Sequence, residues 1–198
     1  MAIRFYDSAL TDKIKSWVKD PNMTILGPNE SSRLFQLKAD ESGDKPLKLP
    51  LIAISRDTNF DIISTAKKPL TYDGGHLDAT EDTSMLLNGI PISLAYQLDI
   101  YCKYFAEADE YVRNFIFNII NFPNVHIEIP YNDAKVVHNS TISLEQTVSD
   151  NSDIPERLIP GQFTRMSLRI TIDDAYLFSI PFMDNWKIEY PAGVKVID

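Results

Sequence analysis

Ile90-Pro91-Ile92-Ser93-Leu94-Ala95-Tyr96-Gln97-Leu98-Asp99-Ile100-Tyr101 decides the fold, because its apolar residues recur at every second position. Successive side chains of a strand point to opposite faces. Ile90, Ile92, Leu94, Tyr96, Leu98 and Ile100 therefore form one row against a core, and the residues between them form a mixed second face. After a short Cys102-Lys103-Tyr104-Phe105 bridge the period changes. Ala108, Tyr111, Val112, Phe115, Ile116, Ile119 and Ile120 follow the three-and-four spacing of a helix with one buried stripe. Glu107, Asp109 and Glu110 are expected in its first turn, where acidic side chains oppose the positive end of the helix dipole. Phe122-Pro123-Asn124 ends it, since proline cannot continue a helix. A strand feeding a helix is a scaffold, so function has to be sought in what is attached to it.

The 198 residues suit one domain with a real core, and an apolar share of 44% argues against global disorder. The formal charge of −9 offers no electrostatic grip on a phosphate backbone, and such a surface would make a DNA passage non-adhesive. Cys102 is the single cysteine, which excludes an internal disulfide and a multi-cysteine zinc site. The N-terminus lacks the apolar core of a signal peptide, and no run approaches membrane-spanning length. The compartment expected is the cytosol. Three Asn-X-Ser/Thr matches, at Asn22, Asn29 and Asn139, are then polar turns and not glycosylation sites.

Upstream, Asp7 is expected to cap a first helix carrying Leu10, Ile14, Trp17 and Val18 on one face, with Asp20-Pro21-Asn22 as its stop. Residues 23–26 and 34–37 read as short strands, and 49–55 as a buried central strand. Downstream, Val125, Ile127 and Ile129 alternate with His126 and Glu128 in a strand ending at Pro130. Val136 and Val137 lead into a further piece, and Ile142, Leu144 and Val148 into a strand interrupted at Gln146. Residues 149–161 read as a loop. Met166, Leu168, Ile170 and Ile172 mark another strand, and Asp173-Asp174 is expected to be a tight turn returning the chain through Tyr176, Phe178 and Ile180.

Residues 57–88 show little periodicity yet contain Phe60, Ile62, Ile63, Leu70, Tyr72, Leu77, Met85 and Leu86. Irregular connections of that length in a compact domain are usually functional arms or disordered segments, and these apolar residues argue against a fully solvated coil. Two readings stay open: an extended hairpin or arm on a neighbouring subunit, or a loop lying over its own domain. Residues 181–198, with two prolines, Trp186 and Tyr190, read as a docking tail. Phe60, Ile62, Leu70, Tyr72, Leu77, Met85, Trp186 and Tyr190 are the interface residues expected from these two segments.

Catalytic signatures are sparse. The seven glycines form no phosphate-cradling loop and no nucleophile elbow. His126-Ile127-Glu128 matches the start of a zinc deaminase signature, but that chemistry needs a following cysteine pair. Glu128 with Asp133-Ala134-Lys135 faintly matches a metal-dependent nuclease core, in which carboxylates hold Mg²⁺. Asp150, Ser152 and Asp153 offer oxygens to Ca²⁺ without the glycine and glutamate of an EF-hand. Asp73, His76 and Asp78 lie in turns that rarely close a metal site. Cys102 reads as a small buried residue. No catalytic residue, cofactor or metal is expected.

Five segments carry a resemblance: 91–101 leading into Ala106-Glu107-Ala108-Asp109-Glu110-Tyr111, then Ile129-Pro130-Tyr131-Asn132, Asp150-Asn151-Ser152-Asp153-Ile154-Pro155 and Ala175-Tyr176-Leu177-Phe178. Together they resemble virion structural proteins of tailed bacteriophages, of the tail-terminator or tail-completion (neck) type, across residues 49–181. The resemblance implies an α+β domain spanning 1–198: a mixed, mostly antiparallel β-sheet packed by an N-terminal helix and a central helix, with 57–88 as a long extended arm. It implies a homo-hexameric ring that caps the tail tube protein and joins it to a neck or head-completion protein. In contractile tails it also implies a hold on the sheath protein. DNA only passes through the lumen, no membrane takes part, and the protein resides in the virion after assembly in the bacterial host cytoplasm. Six copies would carry 6 × −9, or −54, formal charges. Alternatives are another neck or sheath-stabilising adaptor, a monomer that binds through 57–88, and a metal-dependent phage nuclease.

Overall fold

The computed structural model describes residues 3–31, 49–63, 70–72, 76–77, 87–131, 134–152 and 164–178. In chain order these form α1 (Ile3–Trp17), β1 (Thr24–Leu26), β2 (Leu51–Arg56), β3 (Asp61–Ile62), β4 (Leu70–Tyr72), β5 (His76–Leu77), β6 (Leu87–Cys102), α2 (Phe105–Asn121), β7 (Asn124–Tyr131), β8 (Ala134–Asp150) and β9 (Thr164–Phe178). The class is α+β, as expected. The strands run in the order β1-β2-β6-β9-β8-β5, with β3 and β4 also on β6 and β7 on β8. β1 and β2 are parallel, and the other described pairs are antiparallel.

β6 is the spine. It pairs with β9 from Gly89↔Phe178 to Cys102↔Thr164 and with β2 from Leu51↔Tyr101 to Arg56↔Tyr96. Its even-numbered row from Ile92 to Cys102 has no accessible surface. α2 turns Ala108, Val112, Phe115 and Ile119 onto the core. Ile120, expected in that stripe, is 66% exposed instead. It stands about 100° around the helix from Ile119, past the edge of the stripe. Only Glu107 lies in the first turn of α2, because the helix begins at Phe105 and so leaves Asp109 and Glu110 beyond it.

α1 corrects a second expectation. Asp7 is not a cap: the helix starts four residues earlier, and Asp7 is buried in its interior beside Tyr6, Leu10 and Ile14. The carboxylate survives there because Arg56 Nη1 lies 2.6 Å from one oxygen and the Tyr96 hydroxyl donates to the other at 3.0 Å. α1 ends as anticipated near Asp20, whose carboxylate accepts the Asn22 amide at 2.8 Å. Asn114 of α2 donates to the Trp17 carbonyl at 3.2 Å, filling a terminal acceptor of α1, while Trp17 and Phe115 meet edge to face. Gly27 packs closely on this helix, where an added Cβ would stand 3.0 Å from Thr11 Oγ1.

β8 and β9 differ most from expectation. Val136, Val137, Ile142, Leu144 and Val148 belong to one strand, which runs on to Asp150 instead of yielding to a loop at 149. Its first part pairs with β7 and its second with β9, so a continuous ladder replaces the separate pieces. The register shifts between Leu144 and Val148, around the predicted interruption at Gln146. β7 continues one residue past Pro130 to Tyr131. Asp173-Asp174 is no turn: β9 passes straight through, and the two aspartates stand opposite Ser93 in a bulge of the β6 pairing. Ser93 Oγ donates to Asp173 at 2.6 Å, and the Thr141 amide donates to Asp174 at 2.9 Å. Those bonds satisfy the carboxylates within the sheet, so the local turn chemistry loses. The predicted strand at 34–37 and the tail at 181–198 lie outside the described residues.

Candidate functional site

Residues 57–63 follow the edge of β6. The Asp57 amide donates to the Ala95 carbonyl and the Ile63 amide to the Pro91 carbonyl, both at 3.0 Å. Between them β3 pairs Asp61↔Ser93 and Ile62↔Ile92. A strand with one face in the core leaves the residues beyond its edge in solvent, and Ile62 is 63% exposed with Ile63 beside it at 48%. Phe60 instead turns inward and packs against the core. Leu70 and Tyr72 pair with Gly89 and Leu87 in β4, and Leu77 pairs with Val136 in β5. These pieces of the 57–88 stretch therefore lie on the sheet of their own chain. Met85, Trp186 and Tyr190 lie outside the described residues.

A second apolar surface belongs to α2. Phe117 and Ile120, three residues apart, adjoin on its outer face, with Phe122 just past its end. Tyr104 and Phe105 stand exposed at its start. Among the described residues, the large exposed hydrophobic side chains fall only in these two places. Sequence reasoning selected Ile62 and missed the helix. The signal was present, because Phe117 falls off the stripe formed by Ala108, Val112, Phe115 and Ile119.

Beside Phe117 an open groove of about 580 Å³ runs between the end of α1 and α2, lined among others by Lys19, Asp20, Glu110, Tyr111 and Arg113. Tyr111 donates to Asp20 at 2.7 Å; burial first, and that carboxylate second, push its phenol above the ordinary range. It does not ionise near neutrality. The groove is walled by charged and aromatic groups without a convergent reactive pair.

The other sequence candidates sit apart. His126 and Glu128 are exposed on β7, 3.9 Å apart, and His126 Nδ1 meets Asn139 at 2.8 Å across the strand pair. Asp150 accepts from the Ser152 amide and hydroxyl, which lower its pKa, and this closes a local turn. Cys102 is buried, and its thiol is pushed up to about 12 by burial first and the Glu107 charge second. It stays a thiol at neutral pH. No three of the described His, Cys, Asp and Glu side chains are placed to share a metal ion. Asp73, Asp78, Asp133 and Asp153 lie outside the described residues. None of the described helices is long and apolar enough to cross a membrane. No protein-family model matches the chain, and no curated protein matches it.

Proposed function

We propose that this chain is a non-enzymatic virion structural protein of a tailed bacteriophage, forming a hexameric ring that terminates the tail tube and joins it to the neck. The observation that carries the reading is the pair of separate exposed apolar patches, at Ile62–Ile63 and along Phe117, Ile120 and Phe122. A closed ring is built from head-to-tail contacts, which need two different patches on every subunit. Exposed apolar side chains grouped on one surface, unlike single scattered ones, support a reading in which another protein covers them. The resemblance of residues 49–181 to tail-terminator proteins supplies the partners: the tube protein, a neck or head-completion protein and, in contractile tails, the sheath.

The acidic balance of −9 per chain suits a channel through which DNA moves without adhering. Aspartate and glutamate should accordingly outnumber lysine and arginine on the inner rim. Light scattering of the purified chain, alone and with the tube protein, tests the assembly. A mass near six times 22.5 kDa is expected. Imaging of assembled tails should then place the chain at the tube end nearest the capsid. A chain that remains single in both conditions, or a strongly basic rim, contradicts the reading.

A further inference from the structure

We propose that His138 is an acid-operated latch: protonation of its imidazole frees the first turn of α1 from β9 while the sheet stays paired. His138, in β8, is 3% exposed, and it meets Tyr6, the fourth residue of α1, edge to face with ring centroids 6.1 Å apart. The Tyr176 ring of β9 meets it at 5.5 Å. The Tyr6 hydroxyl closes this cluster, accepting from the Tyr176 amide at 2.8 Å and donating to the Tyr176 carbonyl at 3.4 Å. His138 Nε2 stands 3.0 Å from the Asp174 carbonyl, which can only accept. The neutral ring therefore carries its proton on Nε2, and acid adds the second at Nδ1.

Among the described side chains, β9 brings Asp174 and Tyr176 to this cluster, and the Asp174 carboxylate already accepts from the Thr141 amide at 2.9 Å. α1 brings Tyr6 and, beside it, Asp7, which Arg56 and Tyr96 hold. β7 sets Ile127 opposite His138 and turns His126 and Glu128 to its other, exposed face. β8 itself adds the Ser140 hydroxyl at 2.7 Å. Burial disfavours the charged ring, and Asp174 offsets this only in part. A helix start adds to the cost, since its dipole repels a cation. Relief requires water, and the way in lies on the α1 side. β8 is laddered to β7 at His138 and to β9 from Ile142 onward, whereas a helix end can open by itself. The opening stops at Asp7, which stays bound to Arg56 and Tyr96.

Amide exchange followed by NMR on the full chain tests the latch, with rates corrected for their intrinsic pH dependence. The readouts are the Tyr176 amide and those of residues 7–10, whose helical acceptors are the carbonyls of residues 3–6. These amides should open more readily than Leu94–Ile100 of β6 at every pH. Their opening should grow by up to about tenfold per pH unit below 6.5. His138→Gln should abolish that growth and leave β6 protected. Tyr6→Phe should open the same amides at pH 7.5 in about the manner that acid does in wild type, with the pH dependence retained. The latch is overturned by readouts as protected as β6, by growth that survives in folded His138→Gln, or by a Tyr6→Phe chain as closed as wild type. Should His138→Gln not fold, the wild-type profile and Tyr6→Phe decide.

Discussion

Among the described residues two carboxylates are buried, each beside one arginine, and they are secured very differently. Asp7 sits among the apolar side chains of α1 with Arg56 at 2.6 Å and the Tyr96 hydroxyl at 3.0 Å. Asp99 sits on the other face of β6. Arg165 reaches it through two nitrogens at 3.1 and 3.3 Å, Ser167 Oγ lies at 2.5 Å, and Gln97 Nε2 donates at 2.9 Å. Arg165 also stacks over the Tyr101 ring. Removing a buried ion's partner costs far more than the intact pair contributes, because the remaining charge is left in a poor solvent. The lesson lies in redundancy: without its arginine Asp7 keeps one neutral donor, the Tyr96 hydroxyl, whereas Asp99 keeps two, Gln97 and Ser167.

The largest effect is therefore expected from Arg56→Ala, which strands Asp7 and should lower unfolding free energy by about 3–5 kcal/mol in urea titrations at neutral pH. Asp7→Asn should cost less, since an arginine that is a third exposed can turn to water and the amide still accepts from Tyr96. If Asp7→Asn proved the more damaging of the two, the dependence would run the other way and the comparison would collapse. Arg165→Ala comes next, at about 1.5–3 kcal/mol, the range for hydrogen bonds to a charged group.

His138 sharpens the contrast, as a buried ionisable group that is kept neutral. Tyr6 of α1 and Tyr176 of β9 meet its ring edge to face, and its Nε2 lies 3.0 Å from the Asp174 carbonyl and 2.7 Å from Ser140 Oγ. Burial lowers its pKa from the ordinary 6.5, outweighing the opposing influence of Asp174. The unfolded chain thus binds a proton more readily than the folded one. Stability from this group is complete above 6.5 and declines as pH falls below it, with a slope of at most about 1.4 kcal/mol per pH unit for one proton. His138→Gln should flatten that part of the wild-type profile; an unchanged slope would assign the proton elsewhere. The smallest effect is expected at Arg169, which bridges Asp57 at 2.6 Å and Glu145 at 3.2 Å in the open. Arg169→Ala should cost about 1 kcal/mol or less, and less still in high salt.

Neither buried carboxylate was legible in the sequence, and the reasons are physical. Asp7 precedes an apolar periodic run, which is also where a helix cap belongs; its true partners lie 49 and 89 residues away. Asp99 occupies the polar register of β6 correctly, but nothing local shows that Arg165 and Ser167 will lie beside it. β6 and α2 were legible because their own side-chain period fixes both the element and its buried face. β8 was read as fragments because its support is a ladder from β7 and β9, and such pairing is invisible in a single segment. Of the exposed apolar residues, Ile62 is found from apolar content in an irregular stretch. Of the helix surface, Ile120 is counted into the buried stripe, Phe122 is read only as part of the helix stop, and Phe117, which lies off the stripe, is passed over.

The bulge at Asp173 and Asp174 gives β9 a half-step in its alternation. Before it, Leu168, Ile170 and Ile172 face the interior; after it, the inward place falls to Ala175, three residues on instead of two. The Tyr176 backbone then comes to meet the Tyr6 hydroxyl of α1, its amide donating at 2.8 Å. Losing either aspartate from the chain would cancel the half-step, rotating everything beyond it to the opposite side and parting the first helix from the strand that anchors its start. Length at this point is thus more tightly specified than chemistry: an exchange of side chain is survivable, a missing residue is not.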